Sequence, residues 1–277
     1  MKIGCIIQAR NTSTRLPGKV TLPLPMNSNT SVLEHVVKRV RKASNIDQVI
    51  VATTVNIDDN SICDIADALG VSYYRGSESH VLSRYYEAAK LHDLDIVIRI
   101  TSDCPCIDFE VLEALVSLHL NEGNDYTSNT KLRTFPHGLD AEVFSFSVLE
   151  EAFNQAEEQF EIEHVTPYIY LTHKEKFKIG SLENSLQKGE DIRITLDTQA
   201  DYMLLAAVFD YFKEQPDFLM ADIIELFNKK PWLYLINSDI KQKKIYDSLA
   251  EEINDAKEIL KKQELYNALK ILEEHYD

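Results

Sequence analysis

The first 120 residues alternate between short apolar runs and amphipathic segments, and this alternation constrains the fold more than any other feature of the chain. "KIGCIIQ", "DQVIVATT", "VSYYRG" and "DIVIRIT" are β-branched or near-continuously apolar. Runs of that kind read as strands buried on both faces. Between them, "NTSVLEHVVKRVRKA" spaces Val32, Leu33, Val36, Val37 and Val40 as one face of a helix, with Thr30 or Ser31 as its N-cap. "DDNSICDIADALG" predicts a helix stopped by Gly70, "SHVLSRYYEAAKLH" a third, and "DFEVLEALVSLHL" a fourth with Asp108 at its start. Strand and helix alternating with short connections implies an α/β fold: a mostly parallel sheet flanked by helices.

Beyond residue 120 the rhythm changes. "DAEVFSFSVLEEAF" begins as a strand and becomes a helix, and "EIEHVTPYIYLTH" predicts one helix with Pro167 near its start or at a kink. "KFKIGSLE" and "DIRITL" predict two more strands, making the sheet mixed, and "ADYMLLAAVFDYF" and "FLMADIIELFNKK" predict helices. From Asp239 onward there is no Gly or Pro, so the tail reads as one long helix or a helical hairpin. Its apolar stripes are Ile245, Leu249 and Ile253, then Leu265, Leu269 and Leu272. They serve either to pack the tail on its own domain or to join two copies in a homodimer. The expected organisation is a catalytic-sized domain over 1–237 and a C-terminal helical extension over 238–277.

Charge and composition narrow the function. A net charge of −16 argues against a broad nucleic-acid surface. It leaves room for a small anion in a locally positive pocket. The N-terminus lacks a signal-peptide pattern and no stretch approaches the roughly 20 apolar residues of a membrane span, so the expectation is a soluble cytoplasmic protein with no membrane partner. Cys5, Cys63, Cys104 and Cys106 form no C-x-x-C pair and suggest neither zinc nor disulfides.

In an open parallel sheet, ligands bind at the carboxyl ends of the strands. The loop after the first strand, "QARNTSTRLPGKV", gathers Arg10, Arg15 and Lys19 on an acidic chain, with Gly18 allowing close backbone approach. Fixed guanidinium forks and an ammonium are what a triphosphate requires. A Walker A loop does not fit, because Lys19 precedes Val20 and the position five before Gly18 is Ser13. Asp103, directly after the strand in "RITSDCPCID", is a candidate ligand for Mg²⁺, and Asp197 in "RITLDTQAD" stands at the end of another apolar run. Asp201 is placed to start the helix that follows. His137 and Asp140, in "FPHGLDAEVF", are candidates to meet an acceptor.

Taken in order, "QARNTSTRLPGK", "VIVATT", "YRGSESHVLSRYYEAAK", "VIRITSDCPCID", "HGLDAEVFSFSVLEEA", "EHVTPYIY" and "ITLDTQAD" resemble the cytidylyltransferase family. The similarity runs over about residues 3 to 237, and is to the branch of spore-coat polysaccharide biosynthesis F-type proteins, related to CMP-sialic acid and CMP-ketodeoxyoctonate synthetases. The resemblance implies a nucleotidyltransferase fold with a glycosyltransferase-A-like sheet. It implies that Gln8, Ala9, Arg10, Arg15, Lys19, Ala52, Thr53 and Asp103 bind the nucleotide, that Arg10, Arg15, Lys19 and Asp103 are catalytic, and that Asp103 and Asp197 hold Mg²⁺. His137 and Asp140 fall where the acceptor is expected. CTP and a small anionic sugar-like acceptor are the implied partners. Asn11-Thr12 stands where the family loop usually reads Met-Gly, and Gln199-Ala200 where the late motif reads Pro-Glu. Two other functions remain open to the residues alone: a sugar-nucleotide-dependent glycosyltransferase and a non-catalytic partner in polysaccharide assembly. The first lacks a D-x-D after a strand, since "DLD" at 93–95 precedes one.

Overall fold

The four apolar runs of the first half become four parallel strands: β1 (Ile3–Gln8), β2 (Gln48–Thr54), β3 (Ser72–Gly76) and β4 (Ile96–Thr101). A computed structural model describes residues 1–186, 188–240 and 248–276. Three short strands complete a seven-stranded sheet: β5 (Tyr126–Ser128), β6 (Glu142–Ser145) and β7 (Ile179–Ser181), in the order β3-β2-β1-β4-β6-β5-β7. Only β6 runs antiparallel to its neighbours β4 and β5. Adjacent β1 and β4 end level, Gln8 opposite Thr101. The chain moves from β1 towards β3 on one side and restarts at β4 on the other, so the β1–β4 boundary is the switch point where two strand-end loops diverge and leave a crevice.

Helices cover both faces. On one side α1 (Val32–Val40), α2 (Asn60–Leu69) and α4 (Phe109–Glu122) bury Val36, Val40, Ile62, Leu112 and Leu115 against Ile7, Val51 and Ile98. On the other, α3 (Val81–Leu91) and α5 (Phe146–Gln155) bury Leu82, Tyr85 and Leu149 against Ile6, Ile50 and Val97. The predicted caps form. Ser31, not Thr30, starts α1 with a reciprocal capping box to Glu34, Gly70 closes α2, and Asp108 accepts from the Glu110 and Val111 amides of α4.

The second half departs from expectation in four places. "EIEHVTPYIYLTH" is not one helix: α6 (Gln159–His164) stops at Val165, which takes φ 74°, and a π-helical turn (Tyr168–Thr172) follows Pro167. Proline has no amide to continue the ladder and disfavours helix in the residue before it. "DIRITL" is buried and extended but joins no sheet: Ile192, Ile194 and Leu196 pack against α7 (Gln199–Tyr211) and α8 (Met220–Lys229), with a single bridge from Arg193 to His137. Helix α7 starts at Gln199 with Thr198 as its N-cap, and Asp201 is its third residue, closing a capping box rather than initiating the helix. The short β5 is an additional strand whose sequence, "YTS", carries no apolar alternation to mark it.

The chain divides into two units, Met1–Ser238 and Asp239–Asp277. In the second, α9 (Leu249–Lys262) and α10 (Tyr266–Tyr276) form a hairpin rather than one long helix, turning at Glu264 with φ 56°. Leu269 is buried, Ile253 and Leu272 are half-buried, Leu249 and Leu265 are exposed, and Ile245 lies outside the described residues. Among the described residues no helix is long and apolar enough to cross a membrane.

Candidate active site

Two aspartates 94 positions apart in sequence meet at one ammonium. Lys19 begins a 3₁₀ turn in the loop after β1 (Lys19–Thr21), and its stem is almost fully buried. Its Nζ lies 2.6 Å from Asp103 Oδ2, 2.9 Å from Asp197 Oδ1 and 2.7 Å from the Leu196 carbonyl oxygen. All three ammonium donors are therefore committed. Asp103 is held in turn by the Thr101 hydroxyl, which donates to its Oδ1 at 2.6 Å.

Backbone contacts explain why the carboxylates converge. The Leu196 amide donates to the Asp103 carbonyl at 2.8 Å, so the loop leaving β4 and the segment carrying Asp197 are tied next to the charged groups. The Ile194 amide donates to the His137 carbonyl, and the His137 amide to that of Ile192. Gly138 makes this approach feasible. At φ 114° its missing Cβ would lie 2.6 Å from the Ile194 carbonyl carbon.

Arg15 and Arg193 complete the cluster, each placing Nη2 3.0 Å from Asp197 Oδ2. Arg193 also reaches Asp201 through Nε at 2.9 Å, and Asn237 donates to the same carboxylate oxygen. Burial alone would raise the Asp197 pKa. The charges and hydrogen bonds of Lys19, Arg15 and Arg193 outweigh it and bring the carboxyl down to about 2. The same balance raises Lys19: burial opposes its charge, and Asp103 and Asp197 more than restore it.

The remaining predicted residues are distributed differently. Arg10 does not join Arg15 and Lys19. It is half exposed and pairs at 3.5 Å with Glu78, which also accepts from Thr12 and Asn56. Asn11 explains the turn of the chain here, since its amide donates to Asp59 and its side chain to the Asp58 carbonyl and Ser61 hydroxyl. The Gln8 side chain accepts from Arg99 at 3.4 Å, and the buried Ala9 donates its amide to the Ala52 carbonyl. Ala52 and Thr53 are completely buried, so neither offers a side chain to a ligand at this edge. His137 is half-buried near the cluster, and desolvation lowers its pKa so that it is neutral at pH 7. Asp140 faces Arg133 in a two-point pair. Arg193 is a further member of the cluster, and its signal in the sequence is the spacing of four between Arg193, Asp197 and Asp201 in "RITLDTQAD".

Among the described residues no group of three or more His, Cys, Asp or Glu side chains is placed to hold a metal. Two carboxylates already converging on one cation nevertheless suit an ion that takes one or two carboxylates and completes its shell with phosphate oxygens and water. The residues fit.

A parallel-centred sheet with a cationic loop after β1 and a carboxylate after β4, at the switch point, is an arrangement that nucleotidyltransferase α/β proteins share. Solved structures agree. A cytidylyltransferase from Leptospira borgpetersenii superposes with a TM-score of 0.79 and 36% identity, covering 89% of this chain and 99% of that one. A CMP-2-keto-3-deoxy-manno-octonic acid synthetase solved with CTP superposes with a TM-score of 0.56 at 17% identity, covering 76% of this chain and 99% of that one, a likeness of fold. The sequence model described as Cytidylyltransferase matches residues 4–253, and the chain belongs to that family. Relatives include an uncharacterized protein of Methanocaldococcus jannaschii, 39% identical over 88% of this chain and 97% of that protein. The spore coat polysaccharide biosynthesis protein SpsF of Bacillus subtilis is 33% identical over 82% of this chain and 94% of its own length.

Proposed function

We propose that the protein transfers CMP from CTP to a hydroxyl of an acidic sugar or related surface-polysaccharide precursor and releases pyrophosphate. Membership of the cytidylyltransferase family supports CTP as donor, and the part of the Bacillus subtilis relative in spore coat polysaccharide biosynthesis supports a polysaccharide precursor as acceptor. The observation that carries the reading is the convergence of Asp103 and Asp197 on Lys19, flanked by Arg15, at the β1–β4 switch point.

The acceptor oxygen forms a bond to the α-phosphorus as the bond to the bridging oxygen of pyrophosphate breaks, and the hydroxyl proton passes to solvent. Little covalent work falls to the protein, so rate depends on positioning and charge neutralisation. Arg15 would neutralise charge that accumulates on the leaving pyrophosphate, Lys19 would contribute through its field, its three donors being committed, and Arg10 can turn from its long pair with Glu78 to the same phosphates. Asp103 and Asp197 would hold Mg²⁺, which when bound supplies further neutralisation of phosphate oxygens. His137, whose pKa burial lowers, would donate to or accept from the acceptor without adding charge.

The test is a pyrophosphate-release screen of four nucleoside triphosphates against acidic sugars and phosphonates, run with and without MgCl₂. We expect release with CTP and an acidic sugar that depends on magnesium, and its loss in Asp103→Ala and Asp103→Asn with circular dichroism unchanged. Release that persists unchanged in both variants removes Asp103 from the mechanism.

A further inference from the structure

The cluster around Lys19 has no spare negative charge. Among the described residues it sets three carboxylates, Asp103, Asp197 and Asp201, against three cations, Arg15, Lys19 and Arg193. Every oxygen of Asp103 and Asp197 already has a partner. Asp103 Oδ1 accepts from the Thr101 hydroxyl at 2.6 Å, and its Oδ2 from Lys19 at 2.6 Å. Asp197 Oδ1 accepts from Lys19 at 2.9 Å, and its Oδ2 faces Arg15 and Arg193 at 3.0 Å each. The Leu196 carbonyl takes the third donor of the ammonium at 2.7 Å.

A dication entering this arrangement meets balanced charge and carboxylate oxygens already engaged. To share Asp103 and Asp197 it must displace an ammonium that is 9% exposed and repels it at short range. The residue that bars the way is also the one suited to move. Lysine is a point charge on a flexible four-carbon stem, whereas Arg15 and Arg193 are planar forks. A triphosphate changes the balance, because its oxygens offer the ammonium charge-assisted hydrogen bonds of equal kind. When the ammonium passes to phosphate and the dication to the carboxylates, neither is left without counter-charge.

We propose that Lys19 gates the cation site: its ammonium bars a divalent cation from Asp103 and Asp197 until a triphosphate draws it away, so the cation enters with the nucleotide and not before it. Each hydrogen bond that the ammonium gives up to a carboxylate is remade to a phosphate oxygen, and no covalent bond changes. Order of uptake is thereby written into one side chain. This inference rests on the reading above that a nucleoside triphosphate and Mg²⁺ meet at this rim.

The probe is Mn²⁺ alone, its free form counted by electron paramagnetic resonance, titrated into the full-length protein and its variants. Lys19→Met should bind Mn²⁺ about tenfold or more tightly than the unaltered protein, and adding Asp103→Asn to it should abolish the gain. Lys19→Arg, which keeps the charge, should bind no more tightly than the unaltered protein, whereas a site merely loosened by substitution would gain in both variants. Mn²⁺ should raise the melting temperature of Lys19→Met and leave that of the unaltered protein unchanged. If Lys19→Met does not fold, Lys19→Gln takes its place in the same comparison. Adding CTP should then bring Mn²⁺ onto the unaltered protein, read as enhanced relaxation of water protons. Equal Mn²⁺ affinity in the unaltered protein and the uncharged variant overturns the gate. If the uncharged variant gains Mn²⁺ yet CTP brings none to the unaltered protein, the exclusion stands and the nucleotide reading of the site falls.

Discussion

Lys19 is the residue on which the site turns. Its ammonium separates two carboxylates that would otherwise face each other across a half-buried cleft. Lys19→Met should lower pyrophosphate release by about 100-fold or more and destabilise the fold by about 3 kcal/mol, measured by steady-state assay and urea denaturation. Asp197 sets a pH dependence of known sign. Its folded pKa lies near 2 against an ordinary 3.8, so the stabilisation is complete above pH 4 and is lost as pH falls through 2. The amount is on the order of 2 kcal/mol. Urea midpoints at pH 7, 4 and 3 should fall more steeply for the unaltered protein than for Asp197→Asn. The sequence pointed to Lys19 as one of three cations on a loop of an acidic chain, and to Asp103 and Asp197 because each stands at the end of an apolar run. It could not show that Arg10 turns to Glu78, since that depends on how Asn11 ties the loop to Asp58, Asp59 and Ser61. Nor could it show that Ala52 and Thr53 are sealed in the sheet.

Among the elements, the helix caps were the most legible, because a cap is a local bargain between one side chain and the next few amides. Asp108 does more than its local role. Its Oδ1 caps α4 while its Oδ2 accepts from the Met220 amide at the start of α8, at 2.7 Å, joining elements more than 100 residues apart. Asp108→Ala should therefore cost about 2–3 kcal/mol, above the usual cost of losing one cap, seen as a lower urea midpoint with an unchanged slope. Segment 191–196 shows the limit of pattern reading. Alternating Ile192, Ile194 and Leu196 signals burial on one side, and burial is what the segment has. Alternation does not name a pairing partner, and here the partners are a histidine and an aspartate backbone rather than a strand. Gly138 is the corresponding weak point. Gly138→Ala must push Ile194 aside and should destabilise by about 2 kcal/mol or more and slow turnover, because the same segment carries Asp197.

At the scale of the whole molecule, the three buried apolar clusters found among the described residues all lie at or before residue 236. A chain ending at Ser238 should keep the far-ultraviolet dichroism of an α/β protein and melt within about 3 °C of the full chain. The first-half topology was legible because βαβ repeats leave few alternatives. The short strands β5 and β7 carried too little pattern to fix their order in the sheet. The same unevenness runs through the site. Asp103 grows from a strand bonded on both sides, whereas Asp197 hangs from a segment anchored by a handful of peptide contacts to residues 103 and 137. The two halves form a vise with one fixed and one travelling jaw. Any widening for a bulky sugar falls to the travelling side, and the amides of Ile194 and Leu196 should exchange with deuterium well before those of Ile98 and Ile100.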